Sequence, residues 1–230
     1  YETGLRVPMV AKWIDNTSTG KTNQLVSFVD FAPTILDAAN IESKFLFEGL
    51  SFNKKNQRKY IYAATDRFDG SIDMRRSIRG KNFKLIYNAD TTTPIYKKVA
   101  YRQQMKTMQV LDSLNNKQEL NTYFSNWFSK DKDHFELYEV SEDYSEANNL
   151  IHNSKYNEIF KILQHYLFAW MEDSDFGNMS ESTMLDSMFT SSFSIPKLNM
   201  PEIVINDLGF LIESNNLHAS VGWRNKNEKV

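Results

Sequence analysis

The sequence predicts an α/β fold whose clearest unit is a small antiparallel sheet with a helix packed on one face. Three observations carry this. Ile72, Met74, Arg76 and Ile78 alternate with polar residues, Gly80-Lys81-Asn82 supplies a turn, and Phe83, Leu85 and Tyr87 alternate again; this is the pattern of a β-hairpin. Tyr156, Ile159, Phe160, Leu163, Leu167 and Trp170 recur at helical spacing and predict an amphipathic helix from Ser154 to Met171, its apolar stripe a core face. Residues 1–40 carry strand-like and helix-like segments in succession.

Taken in chain order, Val7, Met9, Val10 and Trp13 predict a buried strand, and Asn16–Lys21 a loop. Asp30–Ala39 reads as a helix, with Asp30 as its cap, Pro33 in the tolerated first turn, and Asn40 as the left-handed residue that follows. Lys54–Lys59 is a solvated basic connector by composition. Tyr60–Ala64 reads as a short buried strand that ends in the polar run Thr65–Gly70. After the hairpin, Met105–Leu114 and Leu120–Phe128 suggest helices and Phe135–Val140 a strand; Ser141–Asn149 reads as an acidic, solvated loop. Pro196 and Pro201 mark a linker, and Ile203–Ile205, Phe210–Ile212 and Ala219–Trp223 look like short strands of a further β module. The domain boundaries expected are 1–50, 51–190 and 191–230.

The 230 residues suffice for a sizeable core. Mean hydropathy is −0.53. The most apolar stretch, Ile159–Met171, is interrupted by Lys161, Gln164 and His165, and no run approaches the roughly 20 residues of a membrane span. A net charge of −2 leaves no basic field for nucleic acid. The absence of cysteine excludes disulfides, thiolate metal sites and a cysteine nucleophile within the chain. The chain opens on Tyr1 inside a patterned segment and reads as an internal piece of a longer protein.

Little chemistry is written in local motifs. His134, His152, His165 and His218 have no metal-like spacing, and there is no phosphate-cradling glycine loop. One constellation stands out: Asp66, Arg67, Asp69, Asp73, Arg75, Arg76 and Arg79 gather where a strand exits and a hairpin begins. Arginine forks suit sulfate, phosphate or carboxylate. On composition alone the same cluster reads sooner as a group of mutually neutralising surface charges.

Several segments resemble, in order, the C-terminal half of bacterial type I sulfatases of the alkaline phosphatase superfamily. Tyr1-Glu2-Thr3-Gly4-Leu5-Arg6-Val7-Pro8 is similar to their Y-E-x-G-x-R-V-P strand, and Val26-Ser27 through Asp30, Pro33-Thr34, Leu36 and Asp37 to V-S-x-x-D-x-x-P-T-x-L-D. Asp66-Arg67-Phe68-Asp69 with Asp73-Met74-Arg75-Arg76-Ser77-Ile78-Arg79 resembles D-R-M-D … D-M-x-R-x-V-R, and Phe83–Asn88 resembles Y-K-Y-I-R-N. Glu136-Leu137-Tyr138, with Asp143, Glu146, Asn149 and Leu150, resembles E-L-Y … D-P-x-E-x-x-N-L, although Tyr144 stands where the family has proline. Asn40 likewise stands where the family often has glycine. The nucleophile motif Cys/Ser-x-Pro-Ser/Ala-Arg has no counterpart; Ser194-Ile195-Pro196-Lys197 does not match it.

The resemblance implies the end of an alkaline-phosphatase-like mixed sheet domain, followed by a small antiparallel sheet with a packed C-terminal helix. It implies a sulfuric ester hydrolase of sulfated glycans, exported to the periplasm or secreted, with Ca2+ and a formylglycine held in a preceding catalytic domain. The partners implied are a sulfated carbohydrate and that N-terminal catalytic domain. This chain would be inactive alone and would contribute substrate-binding residues: Arg67 first, then Arg76, with Asp66 and Asp73 as sugar-hydroxyl acceptors or arginine orienters. Arg6 and Glu2 are expected to be structural residues at a strand end. Two other readings stand beside this one: a phosphodiesterase or phosphonate hydrolase of the same superfamily, and a non-catalytic glycan-binding or structural remnant.

Overall fold

A computed structural model describes residues 1–13, 20–53, 58–173 and 183, and the backbone of 202–206 and 209–213. The chain divides into two compact units, Tyr1–Met184 and Leu185–Val230. The described part of the second unit is a hairpin of β5 (Glu202–Asn206) and β6 (Gly209–Glu213), paired from Glu202↔Glu213 to Asn206↔Gly209. The strands expected at 203–205 and 210–212 are these two; the one expected at Ala219–Trp223 lies outside the described residues.

The first unit is built on a four-stranded antiparallel sheet in the order β1-β2-β3-β4. Its strands are β1 (Ile61–Phe68), β2 (Ser71–Arg79), β3 (Phe83–Asn88) and β4 (Phe135–Glu139). The hairpin expected from the alternation is β2–β3, with Arg79 opposite Lys84. Strand β1 is longer than expected and half-exposed rather than buried, because it is an edge of an antiparallel sheet. The polar run after Ala64 is strand, not loop. The register shifts between Thr65 and Arg67, and the chain then reverses at Asp69, whose φ of 53° is left-handed.

Because side chains alternate, the sheet has two unlike faces. Met74, Ile78, Leu85 and Leu137 face helix α6 (Asn157–Asp173), which buries Leu163, Leu167 and Met171 against them. This is the stripe expected from the sequence. The opposite face carries Asp73, Arg75, Arg79, Lys84, Asn88, Glu136 and Tyr138, all at least half-buried. Between β3 and β4 run three short helices, α3 (Ala100–Gln103), α4 (Lys106–Asn116) and α5 (Thr122–Phe128); the last two match the helices expected there.

The N-terminal segment departs from expectation. Glu2–Leu5 is one helical turn, α1, and Val7, Met9 and Val10 lie in exposed, unpaired chain. An apolar alternation becomes a strand only when a neighbouring strand completes its ladder, and none of the described residues pairs with this one. Helix α2 (Phe31–Ala38) follows a 3₁₀ turn at Phe28–Asp30, and Asn40 closes it with a left-handed φ of 55°. Asp30 does not cap forward: its carboxylate accepts backwards from the Ser27 N–H at 2.9 Å, from the Leu50 N–H at 2.8 Å, and from Arg58 Nε at 3.2 Å. Gly49 allows this return of the chain, since a Cβ there would meet the Val29 carbonyl oxygen at 1.8 Å.

Candidate functional site

The charged face of the sheet holds two ionic centres. At one end, Lys84 is fully buried between Glu2 of α1, with Nζ 3.2 Å from Oε1, and Glu146 of the loop after β4, which it also contacts. Arg79 reaches Glu2 Oε2 at 3.3 Å, and the Glu2 N–H donates to Glu146 Oε2 at 2.5 Å. Glu2 is thus a structural residue as expected, on a helical turn rather than a strand. Glu146 is not part of a solvated connector: it adopts a left-handed φ of 53° and turns inward as a counter-ion. No local signal marks it: Lys84 falls in the polar phase of its strand, opposite Phe83, Leu85 and Tyr87, and only packing buries it.

At the other end, Asp73 gathers three cations. Arg75 Nε donates at 2.9 Å, Lys132 Nζ at 2.9 Å, and Lys97 Nζ lies at 3.5 Å. Burial alone would raise the Asp73 carboxyl; Arg75 and Lys132 outweigh burial and hold it below the ordinary carboxylate range. Burial lowers the Lys132 ammonium, and the like charges of Arg75 and Lys97 add to that, against the opposing pull of Asp73. Lys97 also donates to the Thr93 hydroxyl at 2.6 Å, and Thr92 and Thr93 hold Asp90 down to about 2 by hydrogen bonds.

Between these centres lies Glu136. Its Oε2 accepts from the Tyr1 and Tyr138 hydroxyls, both at 2.7 Å, and its Oε1 from Asn88 Nδ2 at 2.6 Å. Burial, then the charge of Glu136, pushes both phenols above their ordinary range. A cavity of about 210 Å3 opens beside them, lined among others by Tyr123, Trp127, Lys132 and Asn149.

The residues expected to bind substrate are spread over both faces. Asp66 and Arg67 lie at the outer end of β1, with Arg67 exposed and opposite Ile72. Arg76 is 2% exposed on the helix face; its guanidinium donates to the carbonyls of Thr65 and Arg75, at 3.0 and 2.9 Å, and to Asp66 Oδ1 at 2.8 Å. Asp73 is on the opposite face with the cations named above. The structure therefore joins Arg76 to Asp66 and places Asp73 apart from them. Sequence reasoning missed Lys97, Lys132 and Arg102, which come from the stretch between β3 and β4 and meet the sheet only through tertiary packing.

Arg102, on α3, lies over the ring of Phe68, the residue after Arg67, with Cζ 4.2 Å from the centroid. Tyr96 flanks it at 5.9 Å. Tyr101, 53% exposed, approaches Phe68 at 6.2 Å. Among the described residues no group of three His, Asp or Glu is placed to hold a metal ion, and no helix is long and apolar enough to cross a membrane.

Comparison with known proteins gives a consistent outcome. The family model described as N-sulphoglucosamine sulphohydrolase, C-terminal, matches residues 1–129. An ulvan-active sulfatase of Formosa agariphila is 33% identical over 229 residues, covering 97% of this chain and 38% of the relative. A second ulvan-active sulfatase of that organism is 28% identical over 182 residues, covering 74% of this chain and 33% of its own length. The chain thus spans about a third of the length of the relatives it matches. Among solved structures, a 2-O GAG sulfatase gives a TM-score of 0.41 at 16% identity, covering 63% of this chain and 24% of that one.

Proposed function

Because this chain belongs to the N-sulphoglucosamine sulphohydrolase C-terminal family, we propose that it is the C-terminal part of a sulfuric ester hydrolase acting on sulfated glycans. The observation that carries this is the 33% identity to an ulvan-active sulfatase along 97% of the chain. The substrate class proposed is therefore a sulfated polysaccharide of the ulvan kind, met outside the cytoplasm.

The family's Ca2+ and formylglycine are assigned to the remainder of the full-length protein. The nucleophile motif has no match in this sequence, and among the described residues no group of three His, Asp or Glu is placed to hold a metal ion. No chemical step is assigned to this chain. What it contributes is a binding surface and the fastening of that surface. Asp66 and Arg67, at the outer end of β1, are the proposed contacts to sugar hydroxyls and anionic groups. Arg76 acts through Asp66, which it holds by ion pair. Asp73 acts through Arg75, Lys97 and Lys132, whose heads it fixes. The catalytic domain of the same full-length chain is the proposed packing partner.

The test is sulfate release by the full-length protein from ulvan oligosaccharides, followed by ion chromatography. Release of sulfate is expected, with Asp66→Asn and Arg67→Gln raising KM more than they lower kcat. Failure to release sulfate from any sulfated glycan, or hydrolysis of a phosphodiester instead, would overturn the reading.

A further inference from the structure

We propose that Arg102 is an oxyanion-binding residue, its guanidinium seated on Phe68 to receive a sulfate or carboxylate group of the glycan beside the Asp66-Arg67 end of β1. This rests on the sulfated-glycan reading above and names a residue and a subsite beyond it.

The geometry is that of a prepared receptor. A guanidinium stacked on an aromatic ring spends its face on the ring and keeps its N–H edge for acceptors. Phe68 at 4.2 Å and Tyr96 at 5.9 Å hold Arg102 in this way. Other arginines of the sheet are already neutralised: Arg75 by Asp73, Arg76 by Asp66, and Arg79 by Glu2. Among the described residues no carboxylate pairs with Arg102, and it is only half-buried. A planar donor fork that is positioned, accessible and without an acid suits a tetrahedral or planar oxyanion.

The surroundings fit an anionic sugar. Tyr101 offers a half-exposed ring 6.2 Å from Phe68, a face against which sugar C–H groups can pack. The segment leading into α3 brings Lys97 onto Asp73, which already serves Arg75 and Lys132. Cations therefore outnumber acids around Asp73, and Asp90 nearby is engaged by Thr92 and Thr93.

The test uses the full-length protein and Arg102→Met, which keeps a long side chain on Phe68 but removes the donors, with Arg102→Lys as a charge-only variant. Mobility through gels containing ulvan, or ulvan stripped of sulfate by chemical treatment, reads binding directly. KM and kcat for sulfate release from ulvan oligosaccharides, against 4-nitrophenyl sulfate as a small control, read its use. Arg102→Met is expected to weaken retention by ulvan about 10-fold and to raise KM by the same factor. Its kcat and its rate on the small ester should be unchanged, and Arg102→Lys should recover little. Phe68→Leu, which loosens the seat without removing the donors, should shift in the same direction. A difference that vanishes on desulfated ulvan identifies sulfate as the group bound, and one that persists identifies carboxylate. Unchanged retention and KM in Arg102→Met overturn the inference. If the full-length protein releases no sulfate, the enzymatic reading fails by itself. The gel then decides for Arg102: stronger retention of the parent protein than of the variant supports it, and equal or absent retention overturns it.

Discussion

Replacing Lys84 with methionine tests the argument that an ionic centre holds the N-terminal turn on the sheet. Lys84 is 0% exposed, and its ammonium is the shared partner of two carboxylates, Glu2 and Glu146, exposed by only 3% and 1%. Methionine approximates the volume of the stem but leaves both acids buried with Arg79 alone nearby, and Arg79 reaches only Glu2. Breaking a buried pair by removing one partner costs about 3–5 kcal/mol, since the remaining charge loses its compensation. The least costly escape is for α1 and the 142–147 loop to leave the sheet, which returns both carboxylates to water. Hydrogen exchange by mass spectrometry on the full-length protein reads this locally. Peptides covering Tyr1–Arg6 and Glu142–Asn149 should exchange about 10²- to 10³-fold faster at pH 7, while those covering α6 keep their protection. Protection at Glu2–Arg6 within tenfold of the parent protein would refute the reasoning, because the turn would then be held by something other than this centre. Replacing Glu2, Lys84 and Glu146 together with Gln, Met and Gln should restore most of the loss.

Three further outcomes follow from the same structure. The Asp73 carboxyl titrates below its ordinary value, so its stabilising effect is complete above the unfolded pKa of about 3.9 and lost as pH falls through the lowered folded value; Asp73→Asn should flatten the acid limb of the stability curve below about pH 4 and lower stability at pH 7. Tyr1 and Tyr138 have raised pKa values, so the fold should lose stability as pH rises above about 10, and the alkaline rise in tyrosinate absorbance should include these two rings only on unfolding. Leu167, 0% exposed between α6 and the sheet, should cost about 2–5 kcal/mol when cut to alanine in urea denaturation, with the Asp73 cluster unaffected.

The hairpin and α6 could be read from the sequence because their signals are local: Ile72–Ile78 alternate at period two, and Tyr156–Trp170 repeat at helical spacing. Asn40 could be read because few residues other than glycine take a left-handed φ readily. The N-terminal strand could not, since Val7, Met9 and Val10 give the right pattern but pairing is a property of a neighbour. The same limit applied to β1: Tyr60–Ala64 looks core-like, and only its place at the sheet edge leaves it half-exposed. For the site, the sequence marked the cluster at residues 66–79 but could not tell that Arg76 points under the helix while Arg75 points to the opposite face, because a shared cluster in sequence divides by parity in a strand. Lys84, Glu136 and Glu146 were invisible as a group. Each is an ordinary charged residue until packing removes its water, and apart from Tyr138, two positions from Glu136, their partners lie 48 to 144 positions away.

The clasp between Glu2 and Glu146 also sets a schedule for synthesis. The two residues are 144 positions apart, so at a ribosomal rate of about 5–20 residues per second the first waits roughly 7–30 s for the second to be made. During that interval the β2–β3 hairpin, including Lys84, is already complete, yet Lys84 has only one of its two acids. Tyr1 similarly lacks Glu136, which lies 135 positions further on. The start of the chain therefore remains undocked until β4 and its loop emerge. The charged face of the sheet closes late in translation, after the steps that a nascent chain could complete from local contacts alone.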